Sequence, residues 1–70
     1  MRTVEVDGKT YQVKIESVNE GNYTFAIADG MYDLHTIHTL ENAGLECHID
    51  KGEGNELVCR SNKPIHIKED

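Results

Sequence analysis

The sequence predicts an α+β fold, an antiparallel sheet of about six short strands with one helix packed on one face, in the order β-β-β-α-β-β-β. Three observations carry this reading. Apolar residues alternate through the first and last parts of the chain. Turn residues interrupt the alternation at Asp7-Gly8, Asn19-Glu20-Gly21 and Gly52-Glu53-Gly54. Between residues 33 and 43 the apolar spacing lengthens to every third residue, which a strand does not show and a helix does.

Val4 and Val6 alternate with polar neighbours, Asp7-Gly8 follows, and Tyr11, Val13 and Ile15 alternate in turn. Asp-Gly between two such runs marks a hairpin, because both turn positions tolerate positive φ. A two-residue loop sets Val4 opposite Tyr11 and keeps the apolar side chains on one face. For the next hairpin, a three-residue loop Asn19-Glu20-Gly21 sets Ser17 opposite Tyr23, Ile15 opposite Phe25 and Val13 opposite Ile27. The three strands, near 2–7, 9–18 and 22–28, share a buried face of Val4, Val6, Tyr11, Val13, Ile15, Tyr23, Phe25 and Ile27. Glu5, Gln12, Lys14, Glu16 and Thr24 take the wet face.

Leu34, Ile37, Leu40 and Ala43 then form an apolar stripe over a helix at 33–43. Asp33 stands where an N-cap belongs and Gly44 where a C-terminal stop belongs, while Tyr32 is placed to pack on Ile37 as a hydrophobic staple. Thr36, Ile37 and Thr39 are β-branched and work against the helix.

Leu45, Cys47 and Ile49 alternate in one strand near 45–50, and Leu57 and Cys59 in another near 56–61. With Gly52-Glu53-Gly54 as a three-residue loop, Lys51 stands opposite Asn55 and Cys47 directly opposite Cys59, both thiols on the buried side. Pro64 has no N–H for a ladder and suits the start of an edge strand at 64–68, where Ile65 and Ile67 alternate with His66 and Lys68.

The chain of 70 residues reads as a single compact domain, 1–70, with a thin core. Its hydrophobic fraction of 37% and charged fraction of 29% suit a globular fold. Thirteen acidic residues against 7 basic ones give a net charge of −6, which disfavours nucleic acid and anionic membranes and favours a basic partner. No apolar run approaches the roughly 20 residues of a membrane span, and no signal-peptide core follows Met1, so the chain reads as cytoplasmic. In that compartment cysteines are thiols by default.

The run Val4-Glu5-Val6-Asp7-Gly8-Lys9-Thr10-Tyr11-Gln12-Val13-Lys14-Ile15, with Gly21-Asn22-Tyr23-Thr24-Phe25 after it, resembles the strand-rich segment that precedes the biotin-carrying domain of some biotin-dependent carboxylases. The biotin-accepting Met-Lys-Met sequence is absent, and the resemblance implies no function here.

The second half holds both cysteines and all four histidines, His35, His38, His48 and His66. Thiolates and imidazoles suit zinc, and Cys47, Cys59 and His38 are the candidate ligands, His38 lying next to the apolar stripe of the helix. Alternation sends His48 and His66 to the opposite face, and no Cys-x-x-Cys or His-x-x-x-His spacing occurs. Core thiols, a cross-strand disulfide and a metal site therefore stay open for the pair. No nucleophile-base pair, phosphate loop or acid pair points to catalysis, since Cys47 and His48 are adjacent in a strand and face opposite ways. The expected role is a small acidic, non-enzymatic binding module, accessory or regulatory, for a basic protein surface, without cofactor. Homodimerisation through the 64–68 edge is equally available. The alternative is a small metal- or redox-responsive protein using Cys47 and Cys59.

Overall fold

The computed structural model describes residues 2–19 and 21–69, with all of their side chains except that of Glu69. Six antiparallel strands form one open sheet, and one helix packs on it. The strands are β1 (Arg2–Val6), β2 (Lys9–Asn19), β3 (Asn22–Ile27), β4 (Glu46–Asp50), β5 (Glu56–Ser61) and β6 (His66–Glu69), with α1 (Leu34–Asn42) between β3 and β4. Their order across the sheet is β4-β5-β3-β2-β1-β6, so β4 and β6 are the edges.

The first hairpin follows from its turn chemistry. Asp7 and Gly8 take φ of 54° and 79°, the left-handed pair that matches strand twist in a two-residue turn. Val4 accordingly pairs with Tyr11.

The second hairpin corrects the expected loop. Asn19 pairs with Asn22, so only Glu20 and Gly21 connect the strands, and Glu20 lies outside the described residues. Ile15 stays opposite Phe25, but the register shifts between Ile15 and Ser17, so Ser17 meets Thr24 instead of Tyr23, and Val18 meets Tyr23. A bulge at Glu16 absorbs the residue that the shorter turn releases.

Helix α1 is closed at both ends by its own sequence. The Asp33 carboxylate accepts the Thr36 N–H at 2.8 Å and the Thr36 hydroxyl at 3.0 Å, an N-cap with a second bond. At the other end Gly44 takes φ of 97°, its N–H donates to the Glu41 carbonyl and the Leu45 N–H donates to the Leu40 carbonyl. This is a Schellman motif, and its apolar contact joins Leu40 and Leu45 inside the core.

The third hairpin keeps the expected register but not the expected loop. Cys47 pairs with Cys59 and Asp50 with Glu56, yet pairing stops there, so Lys51 and Asn55 are not ladder partners. Lys51–Glu53 form a single 3-10 turn, capped by the Asp50 carboxylate on the Gly52 N–H at 3.1 Å. Gly54 and Asn55 then both take positive φ, 78° and 61°, to bring the chain back. The Tyr32 hydroxyl donates to the Asn55 carbonyl at 2.6 Å, tying this loop to the chain just before α1.

β2 is the shared strand. Its residues Lys9–Val13 pair with β1 and its residues Lys14–Asn19 with β3, so it passes from one half of the sheet to the other. The connection from β5 to β6 shows how far the sheet coils. Through Tyr23, Ser61 aligns with Val18 of β2, while through Glu5, His66 aligns with Thr10. On a flat sheet that offset alone is roughly 26 Å. The connection 62–65 spans at most roughly 17 Å, so the sheet coils strongly and brings the end of β5 toward the start of β6. A hollow of about 460 Å³ lies between the end of β1, the end of α1 and this crossing, lined by Glu5–Asp7, Ala43–Leu45 and Ser61–His66. β6 consequently starts at His66 and not at Pro64, which serves the crossing.

Val4, Val6, Phe25, Ile27, Leu40, Leu45, Leu57 and Cys59 make one buried cluster, with Tyr11, Val13, Ile15, Tyr32, Ile37, Cys47, Ile65 and Ile67 packed against it. Ile49 departs from the expected inward set, at 47% exposure near the end of the edge strand β4. Ala26 departs the other way: it faces outward by alternation, yet it is buried, being small and flanked by its register partners Lys14 and Val58.

Candidate functional site

Two arrangements stand out, one on each side of the sheet. On the helix side, β4 and β5 set Cys47 and Cys59 directly opposite each other as free thiols. Cys59 has no exposed surface and Cys47 is half-buried. A hydrogen bond between the two sulfurs lowers the pKa of Cys47, against opposing effects of burial and of the Glu41 carboxylate. The same bond, then burial and the charges of Cys47 and Glu41, pushes the Cys59 thiol far up. Of the two thiols, Cys47 is the one open to solvent.

The third candidate ligand does not join this pair. His38 is exposed on α1, and among the described residues no group of three or more His, Cys, Asp or Glu side chains is placed to hold a metal ion. The other histidines are exposed and engaged elsewhere or not at all with the thiols. Lys9 Nζ donates to His35 Nε2 at 3.2 Å, His66 Nδ1 is 3.7 Å from Glu5 Oε1, and His48 faces outward beside Val58.

On the uncovered side of the sheet lies an acid-lined depression that no local motif announces. Glu16 from the β2 bulge, Asp50 from the end of β4, Glu53 from the 3-10 turn and Glu56 from the start of β5 surround a space of about 380 Å³ over Thr24 and Val58. Lys14 is the basic group within it, 3.4 Å from Glu16 and 3.9 Å from Glu56. These two carboxylates, Glu16 first, raise the pKa of Lys14 and keep it charged. The bulge contributes directly, since it sits at Glu16, where β2 bends away from its regular pairing.

An apolar hollow of about 260 Å³ adjoins this depression, with Val13, Ala26, Ala28 and Met31 among its walls. Lys14 and Glu56 line both spaces. Met31 is 56% exposed, held in a turn in which its N–H donates to the Ala28 carbonyl at 3.0 Å. The composite surface therefore has an apolar floor at one end and carboxylates at the other, the pattern that suits a long cationic side chain with its methylene stem laid flat.

The net charge of −6 hinted at this surface, but the residues that build it come from three segments, at 14–16, 24 and 50–58. Only β2-β3-β5-β4 adjacency gathers them. Among the described residues no helix is long and apolar enough to cross a membrane. Compared with protein-family models, with curated proteins and with solved structures, the chain matches none, and the N-terminal resemblance accordingly carries no family assignment.

Proposed function

We propose that the chain is a small, non-enzymatic binding module of the cytoplasm that receives a lysine- or arginine-bearing segment of a basic protein partner on the uncovered face of its sheet. The observation that carries this reading is the junction of the apolar hollow at Ala26, Ala28 and Met31 with the carboxylates of Glu16, Asp50, Glu53 and Glu56. A cationic side chain laid across that junction buries its stem and brings its head to the acids. Lys14 already spans part of the same junction with its own stem and ammonium.

Electrostatic complementarity of this kind speeds encounter and fixes orientation more than it adds raw affinity, so binding weakens as salt rises. Exposed carboxylates each contribute little, and the cluster acts through its summed field.

The test is a titration of the full chain with an arginine-rich peptide at about 0.15 M salt, where the Debye length is about 8 Å. Glu53→Gln/Glu56→Gln is compared with Asp7→Asn/Glu41→Gln, which removes the same charge outside the residues that line the depression and the apolar hollow. The proposal expects several-fold weaker binding in the first variant and little change in the second. Equal weakening in both means that the peptide reads net charge alone, and the proposed face is wrong.

A further inference from the structure

We propose that Cys47 and Cys59 form a reversible dithiol–disulfide couple that exchanges with low-molecular-weight disulfides of the glutathione type, Cys47 as the attacking thiol and Cys59 as the resolving one. This stands on the helix side of the sheet and is independent of the binding face.

Register is the first support. Residues directly opposite in an antiparallel ladder have Cα atoms about 4.5 or 5.5 Å apart, depending on the kind of pair, and both values fall within the roughly 4.4–6.8 Å that a disulfide spans. Cys47 and Cys59 are such a pair. Their Cβ atoms, at about 4.5–5.5 Å in an ordinary cross-strand pair, lie at or just beyond the roughly 3.5–4.5 Å of a disulfide, so at most a small inward movement is needed. The bond would be open to solvent at the half-buried Cys47, and an exposed disulfide is the labile kind and not a permanent staple.

The strand that must move is the one best able to do so. β4 is an edge strand, paired only with β5, whereas β5 is held between β4 and β3. Closure draws β4 inward beside α1 and leaves Cys59 in place.

Access divides the roles. Cys47 is half-buried and reachable from solvent, while Cys59 has no exposed surface. The Cys59 hydrogen bond favours the Cys47 thiolate, the attacking species. The charge of Glu41 opposes that ionisation, which slows attack without redirecting it.

The exchange balances as follows. The Cys47 thiolate forms a bond to one sulfur of glutathione disulfide, whose S–S bond breaks with its electron pair leaving on a glutathione thiolate. Capping Cys47 removes both its negative charge and its role as acceptor, two of the causes that hold the Cys59 proton. Cys59 then gives its proton to solvent and bonds to the Cys47 sulfur, expelling a second glutathione thiolate. The protein loses two electrons and two protons, and one glutathione disulfide becomes two glutathiones.

The test incubates the folded full chain with glutathione disulfide and reads intact mass and peptide mapping, then returns it to reduced glutathione. The expected product is a chain two hydrogens lighter with Cys47 linked to Cys59, reopened by the reduced buffer. Cys59→Ala should stop at one glutathione on Cys47, and Cys47→Ala should stay unmodified. A wild-type chain that remains a dithiol, or that accumulates glutathione adducts or linked dimers without the internal bond, overturns the proposal. The wild-type readout does not depend on either variant folding.

Discussion

Lys14 of β2 reaches across β3, where the small Ala26 is its register partner, to lie 3.9 Å from Glu56 at the start of β5. The chain thereby fills part of its own acid-lined depression with its own cation, 3.4 Å from Glu16 on the other side. Ala26 makes this reach open, because a larger side chain at that register position would stand between the ammonium and Glu56.

Lys14 is thus a competitor for any incoming cation. Lys14→Gln leaves Glu16, Asp50, Glu53 and Glu56 without an internal counter-charge and should tighten binding of an arginine-rich peptide by about two- to fivefold at low salt. Calorimetric titration of both forms reads the change, and weaker binding in the variant would make Lys14 part of the recognition surface instead of a competitor to it.

Gly44 and Gly52 should respond oppositely in degree to the same substitution. Gly44 has φ of 97° with open space where a Cβ would stand, so Gly44→Ala costs roughly 1–2 kcal/mol through backbone conformation alone and weakens the Schellman closure. Gly52 has no positive φ, and its added Cβ would meet only the Asp50 carboxylate oxygen at 3.4 Å. Urea unfolding of the two alanine variants should place the Gly44 midpoint well below the Gly52 midpoint.

Leu40 is the fully buried residue of α1, in one cluster with Phe25, Ile27 and Leu57. Leu40→Ala should cost about 2–5 kcal/mol. A domain of this length holds roughly 4–10 kcal/mol in total, so the variant should keep about half of its stability or less, read as a large fall in the urea midpoint at 25 °C.

Asp33 couples the helix to pH. The Thr36 N–H, and after it the Thr36 hydroxyl, hold the Asp33 carboxyl below its ordinary range. A depressed folded pKa gives stability that is present above the unfolded value, about 3.9, and is lost as pH falls through the folded one. Asp33→Asn keeps a capping side chain but removes the titration. The fall in urea midpoint between pH 7 and pH 3 should therefore be smaller in the variant than in the wild type.

Local chemistry explains what the sequence made legible. Asp7-Gly8 dictates its turn, Asp33 and Gly44 bound α1, and alternation alone fixes the Cys47–Cys59 register, because the loop between them closes symmetrically whether or not its last pair forms. The Glu16 bulge was hidden, since a turn of Glu20-Gly21 and one of Asn19-Glu20-Gly21 read alike in residue types and differ only in where the surplus residue goes. The curl of the sheet was hidden as well, being a consequence of the short 62–65 crossing from β5 to the far edge strand β6. The acid-lined depression depends on the Glu16 bulge and on β2-β3-β5-β4 adjacency, which is why its residues read singly as a solvated surface. His38 illustrates the converse: its place beside the apolar stripe suggested proximity to the thiols, but one step around a helix turns a side chain by about 100°, and it ends exposed.

The most direct measurement is an NMR titration of the full chain with an arginine-rich peptide, following backbone amide and methyl shifts. Binding at the proposed face predicts saturable shifts concentrated at Lys14, Glu16, Thr24, Ala26, Met31, Asp50, Glu53, Glu56 and Val58, with the helix side at Ile37, Leu40 and Cys59 unmoved. Shifts spread evenly over the acidic residues, or centred on the β6 edge at His66–Glu69, would contradict it.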